Sequence, residues 1–369
     1  MNRRQFIAYS GSALALAGGF SLYNSLEQLQ PIEREKPVNY PAGLEPELAD
    51  LLYYAALAPS GHNTQPWTVR VISSYHWIIG TAASRWLPVV DPENRETMIS
   101  IGAFLENLVT AAGSKGYEAD IQIIAQSTKD PEIAGVTLHK TGYLGESRLS
   151  QIESRRTLRS HFLTKALSSE DIELMTGAYQ GKALYYPRNT REGKVLAEGT
   201  VLANEWQAYR DPAQQELAEW IRWSSQESRR YRNGLTPETM EIEGMSRWYV
   251  KNFYTRQSVL EKEFRDATIR KIKEQVAGGS GWLVLTSKDT TIPELIQTGR
   301  ELQRIWLTMR ERNIALHPMT QALEETVTAM ELPATLGIHG AVQVLLRVGY
   351  VDQYPRPVSL RMPVQEIIL

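Results

Sequence analysis

The ten residues Ala58-Pro59-Ser60-Gly61-His62-Asn63-Thr64-Gln65-Pro66-Trp67 decide how the rest of the chain is read. Two prolines bracket a run of small polar residues, so a helix arriving from the N-terminal side stops at Pro59 and an extended segment begins at Trp67. Such a turn gathers backbone N–H groups, a hydroxyl and side-chain amides in one place, as needed to hydrogen-bond a polar ring edge. Taken alone it is equally an ordinary loop.

Working outward, Leu44, Leu48, Leu51, Leu52 and Ala55 recur at helical spacing and predict a helix ended by Pro59. Beyond the turn, Trp67–Ser73 and Trp77–Gly80 read as strands around a turn at Ser74-Tyr75. Ile101, Phe104, Leu105, Leu108, Val109 and Ala112 mark a buried amphipathic helix, and Ile121–Ala125 and Val136–His139 read as further strands. The first half is therefore α+β.

The second half repeats part of the first. Gly102-Ala-Phe-Leu-Glu-Asn-Leu-Val aligns with Gly299-Arg-Glu-Leu-Gln-Arg-Ile-Trp at an offset of 197, which places Leu105 on Leu302 and Leu108 on Ile305. Each copy ends in a polar turn, Ser114-Lys115-Gly116 or Glu311-Arg312-Asn313. A strand with a tryptophan precedes each helix, Trp67–Ser73 and Trp282–Thr286, and the final strand Val342–Tyr350 corresponds loosely to Ile121–Ala125. Chance likeness between two amphipathic helices is the alternative. A second motif lies in this half: Arg155-Arg156-Thr157-Leu158-Arg159 sets three guanidiniums and a hydroxyl close together, a pattern suited to bidentate phosphate capture, though arginines near a helix end are commonly solvated.

Composition removes several chemistries. With 40 Lys+Arg against 42 Asp+Glu the chain is not a broadly basic nucleic-acid binder, and its 369 residues suit about two domains or one large fold with an insertion. The absence of cysteine excludes disulfides, thiol catalysis, Cys-ligated zinc and iron–sulfur centres. Six histidines show neither i,i+4 pairing nor an HExxH motif, so no zinc site is expected; GxSxG, Walker and GxGxxG motifs are also absent.

Residues 1–30 read as an address. Arg3-Arg4 precede a mildly apolar stretch from Ile7 to Tyr23, which resembles a twin-arginine export signal, and residues 31–43 read as a linker. Asn2 and the lack of a following Lys depart from that pattern, and Ala13-Leu14-Ala15 and Ala15-Leu16-Ala17 leave cleavage or an uncleaved membrane anchor both open. The expected location is periplasmic, or membrane-anchored facing outward. Residues 206–270 mix Trp206, Trp220, Trp223, Trp248, Tyr231, Tyr249 and Tyr254 with arginines, balanced by glutamates such as Glu216, Glu219, Glu227, Glu238, Glu241 and Glu243. The balance argues against nucleic acid. Structural packing or a lid remain.

In combination the two motifs resemble the FMN-binding nitroreductase superfamily. The turn looks like its Pro-Ser-x-x-Asn-x-Gln-Pro-Trp motif, and Arg155 to Phe162 looks like its Arg-Arg-Ser-x-Arg-x-Phe phosphate motif. Gly102 to Leu108 resembles its central helix, while Leu346-Arg347-Val348-Gly349-Tyr350 with Arg361-Met362-Pro363 resembles its C-terminal strand and tail. Family members are typically homodimers with flavin at the interface. Here the turn stands in the half 44–150 and the arginines in the half 151–369, so the resemblance implies one site shared within a monomer that imitates a dimer, as in the fused branch sometimes called Acg-like.

That resemblance implies roles. Arg155, Arg156, Thr157 and Arg159 would hold the FMN phosphate, with Arg356 or Arg361 as a further cation. Pro59, Ser60, His62, Asn63 and Gln65 would line the ribityl and pyrimidine side, and a backbone N–H in Pro318-Met319-Thr320 would face the flavin's reactive edge. His62 and His317 are otherwise plain loop histidines. No side-chain catalytic residue is expected, since the flavin carries the chemistry. The partner is a small electrophile, a nitroaromatic or quinone, with NAD(P)H as a candidate donor; the alternative function is a flavin-sequestering protein with little turnover.

Overall fold

The computed structural model describes residues 44–369; the arginine pair, apolar run and linker read in residues 1–43 lie outside them. Pro46 in the first turn opens α1 (Pro46–Ala56), whose Leu48, Leu51, Leu52 and Ala55 are fully buried. The turn then leads into β1 (Trp67–Ser73) and β2 (His76–Thr81), joined by a two-residue connection. Asp91 starts α2 (Arg95–Ser114), its carboxylate accepting from the Glu96 and Thr97 N–H groups at 3.1 and 2.9 Å. β3 (Tyr117–Ile123) and β4 (Glu132–Lys140) complete an antiparallel sheet of order β1-β2-β4-β3.

The second half runs through α3 (Leu149–Ser154), α4 (Ser169–Thr176) and β5 (Ala183–Pro187). A helical excursion follows: α5 (Arg191–Tyr209), α6 (Asp211–Trp220), α7 (Ser225–Tyr231), α8 (Gly244–Phe253), α9 (Arg256–Leu260) and α10 (Lys262–Val276). The chain then forms β6 (Gly281–Ser287), α11 (Ile292–Glu311), β7 (Ile314–Pro318), α12 (Gln321–Glu324), α13 (Thr326–Thr335), β8 (Ala341–Tyr350) and α14 (Val364–Ile367). Its sheet has order β5-β6-β8-β7, the same permutation as the first. Among the described residues no helix is long and apolar enough to cross a membrane.

The repeat is thus real in topology, and the sheet order corrects two of its assignments. Trp282, on β6, corresponds to Trp77 on β2, not to Trp67, because β1 matches β5. The final strand corresponds to β4 and not to β3, since β4 and β8 occupy the same third place in their sheets. The helix offset of 197 survives in the packing. A Cβ built on Gly102 would lie 2.1 Å from the Ile296 carbonyl oxygen, and one on Gly299 would lie 2.0 Å from that of Ile99. These are one contact seen twice about a pseudo-twofold axis, because 99 and 296 also differ by 197. Around it, Glu106 takes Arg304 at 2.6 Å while Asn107 takes Gln303 at 2.7 Å, again equivalent positions. Gly116 and Asn313, closing the two helices, both have positive φ, 79° and 52°.

The helical excursion sits where β1 and β2 have only a tight turn, between β5 and β6, and so begins before residue 206. Part of its aromatic content is structural. Trp223 is buried with ring centroids 5.0 Å from Tyr254 and 6.0 Å from Phe264, and Arg222 stacks on Trp220 and Tyr231. Finally, the C-terminal tail returns to the first sheet, where Ile368 bridges Val69, and this return carries Arg361 beneath α1.

Candidate functional site

The turn that follows α1 is held in an uncommon conformation. His62, Asn63 and Gln65 have φ of 45°, 55° and 54°, and Ser60 Oγ accepts from the Gln65 N–H at 3.0 Å. Two other segments fix it. From the helical excursion, Gly234 donates its N–H to the Asn63 carbonyl at 3.0 Å and accepts from Asn63 Nδ2 at 3.1 Å, while the Arg232 carbonyl accepts from Gln65 Nε2 at 3.0 Å. From the C-terminal tail, the Met362 N–H donates to Gln65 Oε1 at 2.9 Å and Arg361 Nη1 to Asn63 Oδ1 at 2.9 Å. Pro59 and Ser60 stay half-buried at the rim.

The arginine motif follows α3 as extended chain. Arg155 donates to the Leu57 carbonyl at 2.7 Å and lies over the Trp306 ring, and Arg156 donates to the Arg356 carbonyl at 2.7 Å. Arg159 joins the motif to two other elements: its Nε donates to the Thr239 carbonyl at 3.0 Å and its Nη1 meets His317 Nε2 at 2.9 Å. On the other edge of that imidazole, Arg347 Nη2 stands 3.3 Å from Nδ1; it also donates to the Arg159 carbonyl at 2.7 Å. Thr157 is half-buried between these arginines.

These positions bring the two motifs together. Arg155, on the Leu57 carbonyl just past α1, ties the arginine motif to the start of the turn, and desolvation, then Arg159, push His62 down to about 4. Burial, then Arg159 and Arg347, hold His317 well below the usual histidine range. A neutral imidazole has one lone pair to offer, so His317 accepts from only one of its two guanidiniums. Desolvation also lowers Arg156, Arg159 and Arg347, the last to about 10, and the carboxylate that opposes this in all three is Glu241. Its Oε1 accepts from the Arg159 N–H at 2.9 Å and pairs with Arg156 at 3.4 Å.

Three guanidiniums against one carboxylate leave a cationic excess suited to a dianion. The Nε atoms of Arg156 and Arg347 are buried without a hydrogen-bond partner, so the cluster has donors to spare. A phosphate monoester fits this donor set.

Other expected residues stand differently. Arg361 donates to the Ala56, Leu57 and Ala58 carbonyls at 2.8, 3.2 and 3.0 Å, which closes the C-terminal end of α1. Arg356 is exposed and presents its carbonyl to Arg156. At the end of β7, Pro318 has no N–H, and in the loop that follows the Met319 N–H donates to the Leu345 carbonyl at 2.9 Å, while Thr320 Oγ1 lies 3.3 Å from Glu324. Glu324 also takes Gln207 Nε2 at 2.6 Å and is pushed up to about 8 by desolvation and by Glu96, which itself lies against Gly61. Sequence reasoning missed Arg347, Glu241, Glu96 and Glu324. Arg347 alone left a signal, a charge in the middle of the apolar strand VQVLLRVGY.

No family model matches the chain. Among curated proteins it is 23% identical to the probable NAD(P)H nitroreductase PigM of Serratia sp. over 343 residues, 86% of this chain and 92% of that protein. It is 24% identical to a putative NAD(P)H nitroreductase of Mycobacterium tuberculosis over 331 residues, 86% of this chain and 90% of the relative. Among solved structures, the FMN-dependent nitroreductase NfnB from Mycobacterium smegmatis in complex with NADPH matches at 17% identity and a TM-score of 0.34, covering 56% of this chain and 92% of its own. Both of these curated relatives bear nitroreductase names, and the described residues of this chain form a mixed helix-and-sheet fold of two related halves.

Proposed function

We propose that this chain is an FMN-binding oxidoreductase of nitroreductase type whose single flavin site is shared between the halves of one polypeptide, the fused arrangement called Acg-like. The observation that carries this reading is the junction of the two motifs, Arg155 of the arginine motif donating to the Leu57 carbonyl at the start of the turn at 2.7 Å, beside a cluster with a surplus of cations. Arg155, Arg156, Thr157 and Arg159 would hold the phosphate, joined by Arg347. Pro59, Ser60, His62, Asn63 and Gln65 would face the ribityl and pyrimidine side. When bound, FMN would carry hydride from NAD(P)H to a nitroaromatic, quinone or similar electrophile. The chain's part is to hold and orient it: the amides of Asn63 and Gln65, bonded to the excursion and the tail, fix the strained turn, and the sheets and paired helices keep both motifs rigid. The test is spectral. Purified protein should be yellow, and anaerobic NADPH should bleach it; a colourless protein that takes up no added FMN would refute the reading.

A second reading, flavin sequestration with little turnover, is favoured by the excursion α5–α10. Its Arg232 and Gly234 bond directly to the turn residues Asn63 and Gln65, which suits a lid. The arginine pair at Arg3-Arg4 supports export in folded, flavin-loaded form, where NAD(P)H is scarce, and this too suits sequestration.

A further inference from the structure

Glu241 lies in the helical excursion, between α7 and α8, yet its side chain reaches the arginine motif of the second half and is buried there. The segment that carries it is a tight turn. Thr236 and Thr239 exchange hydrogen bonds, the Thr236 N–H donating to Thr239 Oγ1 at 2.8 Å, and the Glu241 N–H donates to the Glu238 carbonyl at 3.2 Å. The turn offers Arg159 two acceptors at once, the Thr239 carbonyl to Nε and the Glu241 carboxylate to the backbone N–H. The same carboxylate pairs with Arg156.

This placement carries costs that ordinary surface pairing does not. Glu241 has a φ of 58°, in the left-handed region that a glutamate rarely adopts. Its Oε2 is buried with no hydrogen-bond partner, although Arg156 Nε and Arg347 Nε nearby also lack one. The charged and titratable groups around it are Arg156 and Arg159 from the motif, Arg347 from β8, His317 from β7, Tyr354 and Glu243. One carboxylate thus holds, imperfectly and under backbone strain, donors that a dianion could hold better.

We propose that Glu241 is an internal anion that occupies the phosphate cradle, so that loading a phosphorylated ligand and docking of the 236–243 turn exclude one another. This rests on the FMN reading for the identity of the ligand, but not for the chemistry of the cradle, which is that of a phosphate monoester or inorganic phosphate. A ligand's phosphate takes over the Arg159 N–H and Arg156 guanidinium, Glu241 leaves, and the excursion loosens over the site.

The test compares the full-length chain with Glu241→Gln, which keeps an acceptor for the Arg159 N–H but removes the charge, in titrations with FMN, riboflavin and inorganic phosphate. FMN should bind E241Q about tenfold tighter or more, as expected when a charge-assisted bond is no longer lost on binding, and riboflavin equally to both proteins. Hydrogen exchange supplies a readout that needs no variant: amides of residues 236–243 in the wild-type chain should exchange faster when FMN is added. Weaker FMN binding by E241Q, an equal change for riboflavin, or slower exchange in 236–243 would overturn the proposal. If neither flavin binds either protein but phosphate stabilises E241Q against heat more than wild type, the internal anion stands and the FMN reading falls. If phosphate also leaves both proteins unchanged, the internal anion falls with it.

Discussion

Gly102 and Gly299 face each other where α2 and α11 cross, and a methyl group on either would strike the other helix's backbone, at the Ile296 or the Ile99 carbonyl oxygen. Backbone to backbone, the halves meet as the subunits of a symmetric dimer meet, with equivalent residues trading places across the axis. Leu105, Leu108, Leu302 and Ile305 of the two helices are buried, so the halves share one core. Any site assembled from both halves depends on this crossing.

Gly102→Ala should therefore destabilise the protein by about 1–3 kcal/mol, the cost of overpacking a close-packed core. Gly113 lies in the same helix with nothing within 4 Å of a built Cβ, so Gly113→Ala should be neutral or stabilising by up to about 1 kcal/mol. Urea unfolding of the two variants checks this. Equal effects would mean that the crossing is not tight.

Arg361 should prove to be a structural residue. Replacing it with Met takes the guanidinium from the Ala56 and Ala58 carbonyls at the end of α1, Leu57 keeping Arg155, at a cost of about 1–3 kcal/mol for each carbonyl left unpaired. The loss should appear in flavin-free protein. A Tm unchanged without flavin but lowered with it would instead return Arg361 to the phosphate.

Stability should depend on pH in two opposed ways. His62 and His317 have folded pKa values below the unfolded one, so the unfolded chain binds more protons and stability falls as pH drops from about 6.5 toward 4. Glu324 is displaced the other way, up to about 8, so the folded chain binds the extra proton and stability falls as pH rises from about 4.5 to 8. Glu324→Gln mimics the protonated acid. It should gain stability over wild type at pH 8 and show little difference at pH 4.5, by denaturation at both values.

The sequence was legible where local rules decide the outcome. Pro59 ends α1 after a short overhang, WTVRVIS forms β1 over the expected residues, and the repeated helices appear at their offset. It was misleading where strand order decides. Trp67 and Trp282 look equivalent because each opens an apolar run, but only hydrogen-bond pairing shows that Trp282 shares its place with Trp77. Arg361 reads as a free cation in a tail, and the Ala56, Leu57 and Ala58 carbonyls it bonds lie about 300 residues away in sequence, beyond the reach of any spacing rule. Glu241 reads as one of the many glutamates that balance the arginines of the excursion, since nothing local distinguishes the one that turns inward.

Export is tested separately. Replacing Arg3 and Arg4 with Lys should leave the protein in the cytoplasm, still flavin-loaded, on fractionation; unchanged localisation would sink the export proposal.

The central claim is that two halves make one site. Native mass spectrometry of the purified chain, saturated with FMN, counts it directly, in parallel with the double variant Arg156→Ala/Arg159→Ala. We predict one FMN per chain and none retained by the variant, which loses charge-assisted bonds worth about 1.5–3 kcal/mol each. Two FMN per chain, or full retention by the variant, would contradict it.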